Sequence, residues 1–283
     1  MNSIGIARLQ RVCWGPGYDL ISNYNSLQVT LRKQFSHGLT LQAAYTYSKS
    51  LTNSNENSAN YNDASDTRQQ YGPSYFNRPQ RFIINYSYDL PFGKQPGALG
   101  RLTSGWSIAG VTTIQDGQAL TIEDSNAGTI FGTSAGYTDS GIARAQMCPG
   151  MTYSDAASHG GIEQRLGGGS GGPGYFNPSA FCPAPVIGDG TGFGDSGMGI
   201  ILGPGQVNFD FSVLKNTRLF ENQSIQFRAE FFNIFNHAQF DNPNPNSIPY
   251  QPALPNVSAP NFGQIVGASV NPRVIQFALK YVF

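Results

Sequence analysis

Three histidines are the residues of this sequence most suited to catalysis. His37 lies in a predicted tight turn, His159 in a glycine-rich loop and His237 directly after a predicted strand. A serine hydrolase needs its histidine within hydrogen-bond reach of the nucleophile, but the predicted topology places His37 on the opposite rim from the other two. We therefore interpret all three as turn and loop histidines, and we expect no catalytic residues and no enzyme activity.

Glycine-rich and oxygen-rich runs raise the question of phosphate or metal binding. The runs 166–174 and 188–197 lack the strand-to-helix setting and the GK[ST] ending of phosphate loops. The run 53–66 (NSNENSANYNDASD) offers carboxylate and amide oxygens that suit Ca²⁺, without the spacing and glycine of a known calcium loop. We interpret all three as solvated loops and expect no metal and no cofactor, with Ca²⁺ binding as the alternative for 53–66.

The three cysteines, Cys13, Cys148 and Cys182, have no metal-ligand spacing. Cys148 and Cys182 share one Gly- and Pro-rich region, so they could pair in an oxidising compartment. We regard Cys148 and Cys182 as a candidate disulfide, with two unpaired thiols as the alternative.

Aromatic side chains are frequent in the predicted loops. They could stack on a sugar or peptide ligand, and packing of the loops on themselves is the alternative. These candidate ligand aromatics are Tyr61, Tyr71, Tyr75, Phe76, Phe131, Tyr137, Tyr175 and Phe176.

The composition favours strands joined by long loops. Charged residues make up 12% of the chain and their charges cancel, so no basic stripe is present to bind nucleic acid. No stretch approaches the roughly 20 apolar residues of a membrane helix, but a transmembrane β-barrel, whose strands are only half apolar, is allowed. The N-terminus has no apolar signal-peptide core, so for an exported protein this chain would be a fragment or a mis-started reading frame.

Alternation of apolar and polar residues predicts seven strands. Their lengths suit the roughly 9–11 residues that cross a bilayer better than the usual five or six of a globular strand. Charged residues such as Arg32, Asp210 and Glu230 fall on the polar face, which leaves the other face suited to lipid. Val111 breaks the alternation of the fourth segment and predicts either a bulge or a change of exposure there. The segments are residues 24–34, 39–48, 81–90, 105–123, 207–217, 223–234 and 273–283.

Short and long connections alternate along these segments, as they do between the two rims of an outer-membrane barrel. We therefore expect the long connections outside the cell and the short ones in the periplasm. The segment 273–283 should end at the periplasmic rim with its apolar face toward lipid, paired with its chain neighbour 223–234. The short connections are 36–38, 91–104 and 218–222, and the long ones are 49–80, 124–206 and 236–272.

Six stretches of this sequence carry a resemblance to a known family: YNSLQVTLRKQFSHGLTLQAAYTYSKSL, NRPQRFIINYSYDLPFG, GWSIAGVTTIQDGQALTI, FNPSAFCPAP, FRAEFFNIFNHAQFDNPN and PRVIQFALKYVF. Together they cover nearly the whole chain from residue 24 onward and resemble the C-terminal barrel of Oar-like TonB-dependent outer-membrane receptors. The resemblance implies an all-β fold, an antiparallel up-and-down transmembrane β-barrel of about 22 strands with long extracellular loops.

The resemblance also implies what this chain contributes and which partners it has. Residues 24–283 would supply about seven strands as the C-terminal part of the barrel, preceded by a truncated loop or strand at 1–23. Outer-membrane lipid, the missing N-terminal strands and the plug, with TonB acting through the plug, would be its partners. Gln276, Tyr281 and Phe283 match the terminal signal read by the barrel-assembly machinery, while Ala278 stands where glycine is commoner.

The predicted function is therefore that of an outer-membrane receptor and transporter fragment. It would contribute wall strands and ligand-binding loops for uptake of an unknown substrate. The alternative is a structural or adhesive outer-membrane surface protein, either a small barrel or a β-rich binding module with display loops. Seven strands leave two unpaired edges, so we expect no closed barrel from this chain alone.

Overall fold

The computed structural model of the chain contains one large antiparallel sheet. It describes residues 2–15, 18–53, 67–92, 97–124, 127–131, 143–161, 165–166, 174–220, 222–244 and 262–283. Each long strand pairs with its chain neighbours, so the sheet is an up-and-down meander. The strands are β1 (Asn2–Gly15), β2 (Tyr18–Ser36), β3 (Leu39–Thr52), β4 (Gln80–Asp89), β5 (Trp106–Gln115), β6 (Gln206–Phe220), β7 (Gln223–Phe232) and β8 (Val274–Val282).

The sheet confirms the antiparallel strands and the pairing of the last two predicted segments, because β8 lies antiparallel to β7. Its outer strands β1 and β8 are not paired with each other in the described part of the chain, so the sheet does not close. The prediction of seven strands was incomplete, since β1 adds an eighth that pairs with β2.

The fourth predicted strand, 105–123, was too long. β5 ends at Gln115, and Val111 pairs in continuous register with both neighbouring strands, so the expected bulge is absent there. Just beyond the strand, a Cβ on Gly117 would lie only 1.9 Å from the carbonyl oxygen of Gly203. The chain leaves the sheet at that point because its backbone packs directly against another backbone segment, which only glycine permits.

Cross-strand pairing gives the sheet two chemically different faces. One row across four strands consists of Tyr45, Phe82, Ile114 and Val207, each directly opposite the next. Rows on the other face carry polar and charged residues, including the pair Glu230–Gln276 and the pair Gln42–Asn85. The register is therefore firmly specified, since a slip of one residue would move every apolar side chain to the polar face.

The connections distinguish two rims. At the short rim the strands are connected by the turn at His37–Gly38 and by the segments 90–105 and 221–222. At the long rim they are connected by the segments 53–79, 116–205 and 233–273. Short and long connections alternate between the predicted strands, whereas the link from the additional strand β1 to β2 consists only of residues 16 and 17. His37 and Gly38 have φ values of 53° and 80°, which suit a two-residue hairpin turn.

The short rim carries the α-helix α1 (Gly97–Thr103). Its carboxyl end is held against the sheet, because the indole nitrogen of Trp106 donates to Leu102 O at 2.8 Å and Lys215 Nζ donates to Arg101 O at 2.7 Å. Within the described residues, no helix has the length and hydropathy needed to cross a membrane.

The described residues of the three long connections pack together, and we call this unit the loop cap. Gly72–Pro73 pairs with β3 at the base of the cap. Other short strand pairs in the cap are Ala119–Leu120 with Ile201–Leu202, Glu123–Asp124 with Ala143–Arg144, Gln146–Met147 with Phe181–Cys182, and Val186–Ile187 with Gly190–Thr191. 3-10 helices cover Thr67–Gln70, Thr129–Phe131, Tyr153–Ala156 and Pro178–Ala180.

Candidate functional site

The main hydrophobic core of the described chain lies in the loop cap and not in the sheet. Ile122, Phe176 and Phe181 are fully buried there. Phe262, from the connection between β7 and β8, packs its ring 5.3 Å from Phe176 and 6.0 Å from Phe181. The aromatic cluster therefore fastens the last long connection to the connection between β5 and β6.

The connection between β3 and β4 joins the same unit through close backbone contacts. A Cβ on Gly72 would lie 2.6 Å from Met198 O, and one on Gly199 would lie 2.7 Å from Pro73 O. Arg144 Nη1 donates to Gln69 O at 2.8 Å. Burial lowers the pKa of Arg144, and this effect is opposed by the charges of Tyr153 and Asp195.

A disulfide joins Cys148 and Cys182 inside the cap, with their Cα atoms 4.9 Å apart. The two cysteines are adjacent to a strand pair, because Gln146 pairs with Cys182 and the Cys148 amide donates to Ala180 O at 2.9 Å. The bond therefore clamps two segments that already hydrogen-bond to each other.

Replacing both Cys148 and Cys182 with serine is expected to lower the free energy of local unfolding of the cap by about 2–4 kcal/mol, because the open loop regains conformational entropy. Hydrogen exchange at the amides of this strand pair measures the change. Cys13→Ser, in β1, is the matched control and should leave cap exchange unchanged. Equal protection in the double variant and the wild type would show that the bond does not stabilise the cap.

A cavity of about 600 Å³ lies within the loop cap, between the connection from β5 to β6 and the connection from β7 to β8. We call it the cap cavity. Its described lining combines one arginine, one histidine and several apolar residues, and it contains no aspartate or glutamate. The lining is formed by Gly160, Arg165, Leu166, Tyr175, Pro204, Gly205, Phe235, Asn236, His237, Ala238, Phe240 and Ile265.

Arg165 and Tyr175 form the polar side of the cap cavity. The guanidinium of Arg165 lies 4.2 Å from the centroid of the Tyr175 ring, at cation–π distance. The Tyr175 hydroxyl donates to Leu202 O at 2.8 Å, which fixes the ring. Burial raises the pKa of Tyr175, and the positive charge of Arg165 partly offsets that effect.

His237 is oriented by its neighbour Gln239. The side-chain oxygen of Gln239 accepts from the Val207 amide at 2.7 Å, and its nitrogen donates to Val207 O. This assigns the amide orientation, so that the same nitrogen is the donor to His237 Nδ1 at 2.9 Å. The neutral histidine therefore carries its proton on Nε2.

The polar face of the sheet holds a second candidate site near the end of β7. Asp210 Oδ1 accepts from the Asn233 amide at 2.9 Å and from Asn208 Nδ2 at 3.0 Å. These bonds fix the carboxylate at the edge of a cavity of about 430 Å³ that also includes Asn85 and Glu230 in its lining. Its acidic lining contrasts with that of the cap cavity.

The structure separates the residues that the sequence suggested as ligand aromatics. Phe176 has no exposed surface, so its assignment to ligand stacking was wrong and it packs the cap instead. Tyr175 lines the cap cavity, while Tyr71 hydrogen-bonds to Asn23 and Tyr75 packs edge-on against exposed Phe76. Outside the described part of the chain lie Tyr61, Tyr137, the Phe131 side chain, most of the oxygen-rich run at 54–66 and most of the glycine-rich run at 167–173.

The three histidines do not form one site. His37 lies in the turn of the short rim, whereas His159 and His237 belong to the cap. Among the described residues, no group of three or more His, Cys, Asp or Glu side chains is arranged to hold a metal ion. Arg165 and Phe235 are cavity residues that the sequence reasoning missed, because nothing in the local pattern distinguishes them from other loop residues.

Glu123, in the cap, gives a prediction about pH. Burial raises its pKa from 4.5 to about 7, so ionisation disfavours the folded cap. This contribution to stability is present below about pH 4.5 and is lost as the pH rises through 7. In the wild type the free energy of unfolding of the cap should fall by about 1–2 kcal/mol between these pH values, a moderate amount because Glu123 keeps some contact with water. Glu123→Gln should abolish this fall.

Hydrogen exchange of cap amides at pH 4.5 and pH 8 measures this difference, after correction for the intrinsic exchange rates. Asp189→Asn is the control, because Asp189 is an exposed acid of the same cap. An unchanged pH dependence in Glu123→Gln would show that another group is responsible.

Comparison with known proteins agrees with the two-faced sheet. Residues 17–276 match the family model described as an outer membrane beta barrel domain. Neither the curated proteins nor the solved structures gave a significant match. Because the family model covers most of the chain, the protein belongs to the outer membrane beta barrel domain family and is located in the bacterial outer membrane.

Proposed function

We propose that the chain forms the C-terminal part of the barrel of an Oar-like TonB-dependent receptor that takes up a small substrate. The observation that carries this proposal is the combination of a two-faced sheet of long strands with a folded cap, containing a cavity, on one rim. A wall that only anchored the protein would not need a cap with its own core and cavity. The sequence resemblance to these receptors supports the same function.

In this proposal the apolar face of the sheet contacts lipid and the polar face contacts the barrel interior. Large apolar side chains on the first face are exposed, for example Tyr47, Leu279 and Phe277. Such a continuous exposed apolar surface is costly in water and favourable in a bilayer. The long rim with the cap then faces the outside of the cell, where an oxidising environment maintains the disulfide.

The proposal includes further strands and a plug that complete the barrel. The edge strands β1 and β8 carry backbone groups with no partner strand in the described structure. In a bilayer every such group requires a hydrogen-bond partner. We propose that the N-terminal strands of the receptor pair with these edges and that TonB acts through the plug, with no catalytic role for the chain.

The assembly machinery is proposed to recognise the end of β8. Gln276 lies on the polar face beside Glu230, whereas Tyr281 and Phe283 stack at the short rim with ring centroids 5.8 Å apart. Aromatic residues favour the membrane–water interface. This placement supports Gln276, Tyr281 and Phe283 as the residues of the signal.

Substrate uptake by cells tests the proposed function. Cells with and without the gene are grown on a mixture of peptides and oligosaccharides, and depletion of each compound from the medium is measured with and without an uncoupler. We expect one class of compound to be depleted only by energised cells that carry the gene. Identical depletion by both strains would overturn the transport function.

Surface labelling tests the proposed orientation separately. Tyr153→Cys, in the cap, should react with a membrane-impermeant maleimide on intact cells, because Tyr153 is exposed. Leu99→Cys, exposed in α1 on the short rim, should react only after the outer membrane is permeabilised. The reverse result would place the cap in the periplasm.

A further inference from the structure

We propose that the cap cavity binds a small organic carboxylate with an apolar body, such as a short peptide with an apolar C-terminal residue. Arg165 holds the carboxylate, and the apolar lining residues, Phe235 among them, hold the apolar body. As a statement about the transported substrate this rests on the proposed function, but binding itself does not require transport.

The charge of the lining selects an anion. Arg165 is the one permanently charged side chain among the described lining residues. Asp241, which follows Phe240 in the chain, is not among the lining residues, and its carboxylate would meet a Cβ placed on Gly267. The positive charge of Arg165 in the lining offers an anionic ligand an ion pair.

The guanidinium of Arg165 is already held in place for a planar anion. It stacks on the Tyr175 ring, and that ring is in turn fixed by the hydrogen bond to Leu202 O. A carboxylate in the cavity can pair with this guanidinium through two parallel N–H donors, at a small entropic cost because the Tyr175 ring already holds the arginine.

Other lining residues of the cavity suit an apolar group. Phe235 is 70% exposed although its ring packs edge-on against Phe209, with the centroids 5.1 Å apart. Phe240, Leu166 and Ile265 line the same cavity. A ligand that covers Phe235 removes apolar surface from water, which is the main favourable contribution for such pockets.

His237 adds a second polar contact of defined type. Gln239 occupies its Nδ1, so the neutral ring presents Nε2 as a hydrogen-bond donor. A donor near Arg165 suits a carboxylate or an amide carbonyl, whereas a ligand amine would meet a donor and a cation. The cavity volume of about 600 Å³ is in the range of small-molecule sites and leaves room for a few residues of peptide.

Binding of N-acetyl-Leu-Phe and of its C-terminal amide to the purified, detergent-solubilised full-length receptor tests this inference by isothermal titration calorimetry. The two probes differ only in the charged group. We expect the acid to bind at least about tenfold more tightly than the amide, as for other charge-assisted hydrogen bonds. Equal affinities, or no saturable binding of the acid, would overturn the proposal.

Arginine variants locate the site. Arg165→Gln should weaken binding of the acid about 10- to 100-fold and leave binding of the amide nearly unchanged. Arg165→Lys should give an intermediate loss, because it keeps the charge and loses the planar pair of donors. Arg101→Gln, the same change on α1 at the short rim, should have no effect.

Phe235→Ala should weaken acid and amide binding by the same factor, because both probes share the apolar body. The proposal is contradicted if Arg165→Gln weakens binding of the acid and of the amide by the same factor. It is also contradicted if this variant binds the acid with unchanged affinity. Failure of binding with energised uptake intact would refute only the cap cavity as the site. Binding without gene-dependent uptake would refute only the transport function.

Discussion

Arginine in place of Phe277 is expected to block assembly into the outer membrane, whereas arginine in place of Gln276 should be tolerated. Phe277 is 67% exposed and stacks on Phe227 of the neighbouring strand, with ring centroids 6.2 Å apart. It lies near the middle of β8 on the apolar face, where a buried charge costs about 2–4 kcal/mol at mid-bilayer. Gln276 pairs with Glu230 on the polar face, so an arginine there gains an opposite charge.

Heat-modifiable mobility of the full-length receptor from isolated outer membranes measures assembly of the two variants. The neighbouring positions provide a matched comparison, because both variants add the same charge to the same strand. If the two substitutions reduce assembly equally, the assignment of lipid-facing and interior faces is wrong.

Phe176→Ala is expected to destabilise the loop cap by about 3–5 kcal/mol, as is usual for a fully buried aromatic residue. Phe176 has no exposed surface and contacts both Tyr175 and Phe262. Its removal leaves a void at the point where two long connections meet. Strand pairing in the membrane should persist, because the sheet does not depend on this cluster.

Hydrogen exchange distinguishes the cap from the sheet in this variant. The amides of Ser158 and Asn177, which bond to Tyr175 O and Ala156 O, should lose protection, while the amides of β6 and β7 should retain it. Phe220→Ala on the short rim is the control, because Phe220 is 69% exposed. Unchanged exchange at Ser158 would show that the cluster does not hold the cap together.

The sheet was largely predictable because strand alternation is a local property of the sequence. Period-two patterns gave the strands, their antiparallel order and the pairing of β7 with β8. β1 was missed because Arg8 and Gln10 interrupt the alternation of Ile4, Ile6, Val12 and Trp14 in the sequence. β1 forms because it can pair with β2, and the residue pattern of a single segment does not show which partner strand is available.

The end of β5 was not predictable, because tertiary contact determines it. Leu120 and Ile122 resume the alternation beyond Gln115, but the close approach of Gly117 to Gly203 ends the strand before them. These glycines are far apart in the sequence, and neither pattern nor propensity relates them. Local patterns therefore overestimate strand length wherever a strand enters a packed loop.

The cap cavity could be predicted only in part. Tyr175 and His237 were candidates because of their residue types, but both line one cavity only because two long connections pack together. Arg165 had no distinguishing signal at all, because an arginine beside a glycine-rich run usually lies on the surface. Phe176 shows the converse, since an aromatic residue in a polar loop sequence became the centre of a core.

The aromatic cluster of the cap also imposes an order on biogenesis. Cys148 and Cys182 lie in one connection, so their bond can form as soon as that connection has been synthesised and oxidised. Phe176 and Phe181 must wait for Phe262, which follows β6 and β7 in the chain, and closing this longer loop is entropically slower. The core of the cap can therefore form completely only after the chain that contains β6 and β7 is present. A closed aromatic cluster thus requires the chain to extend at least to Phe262.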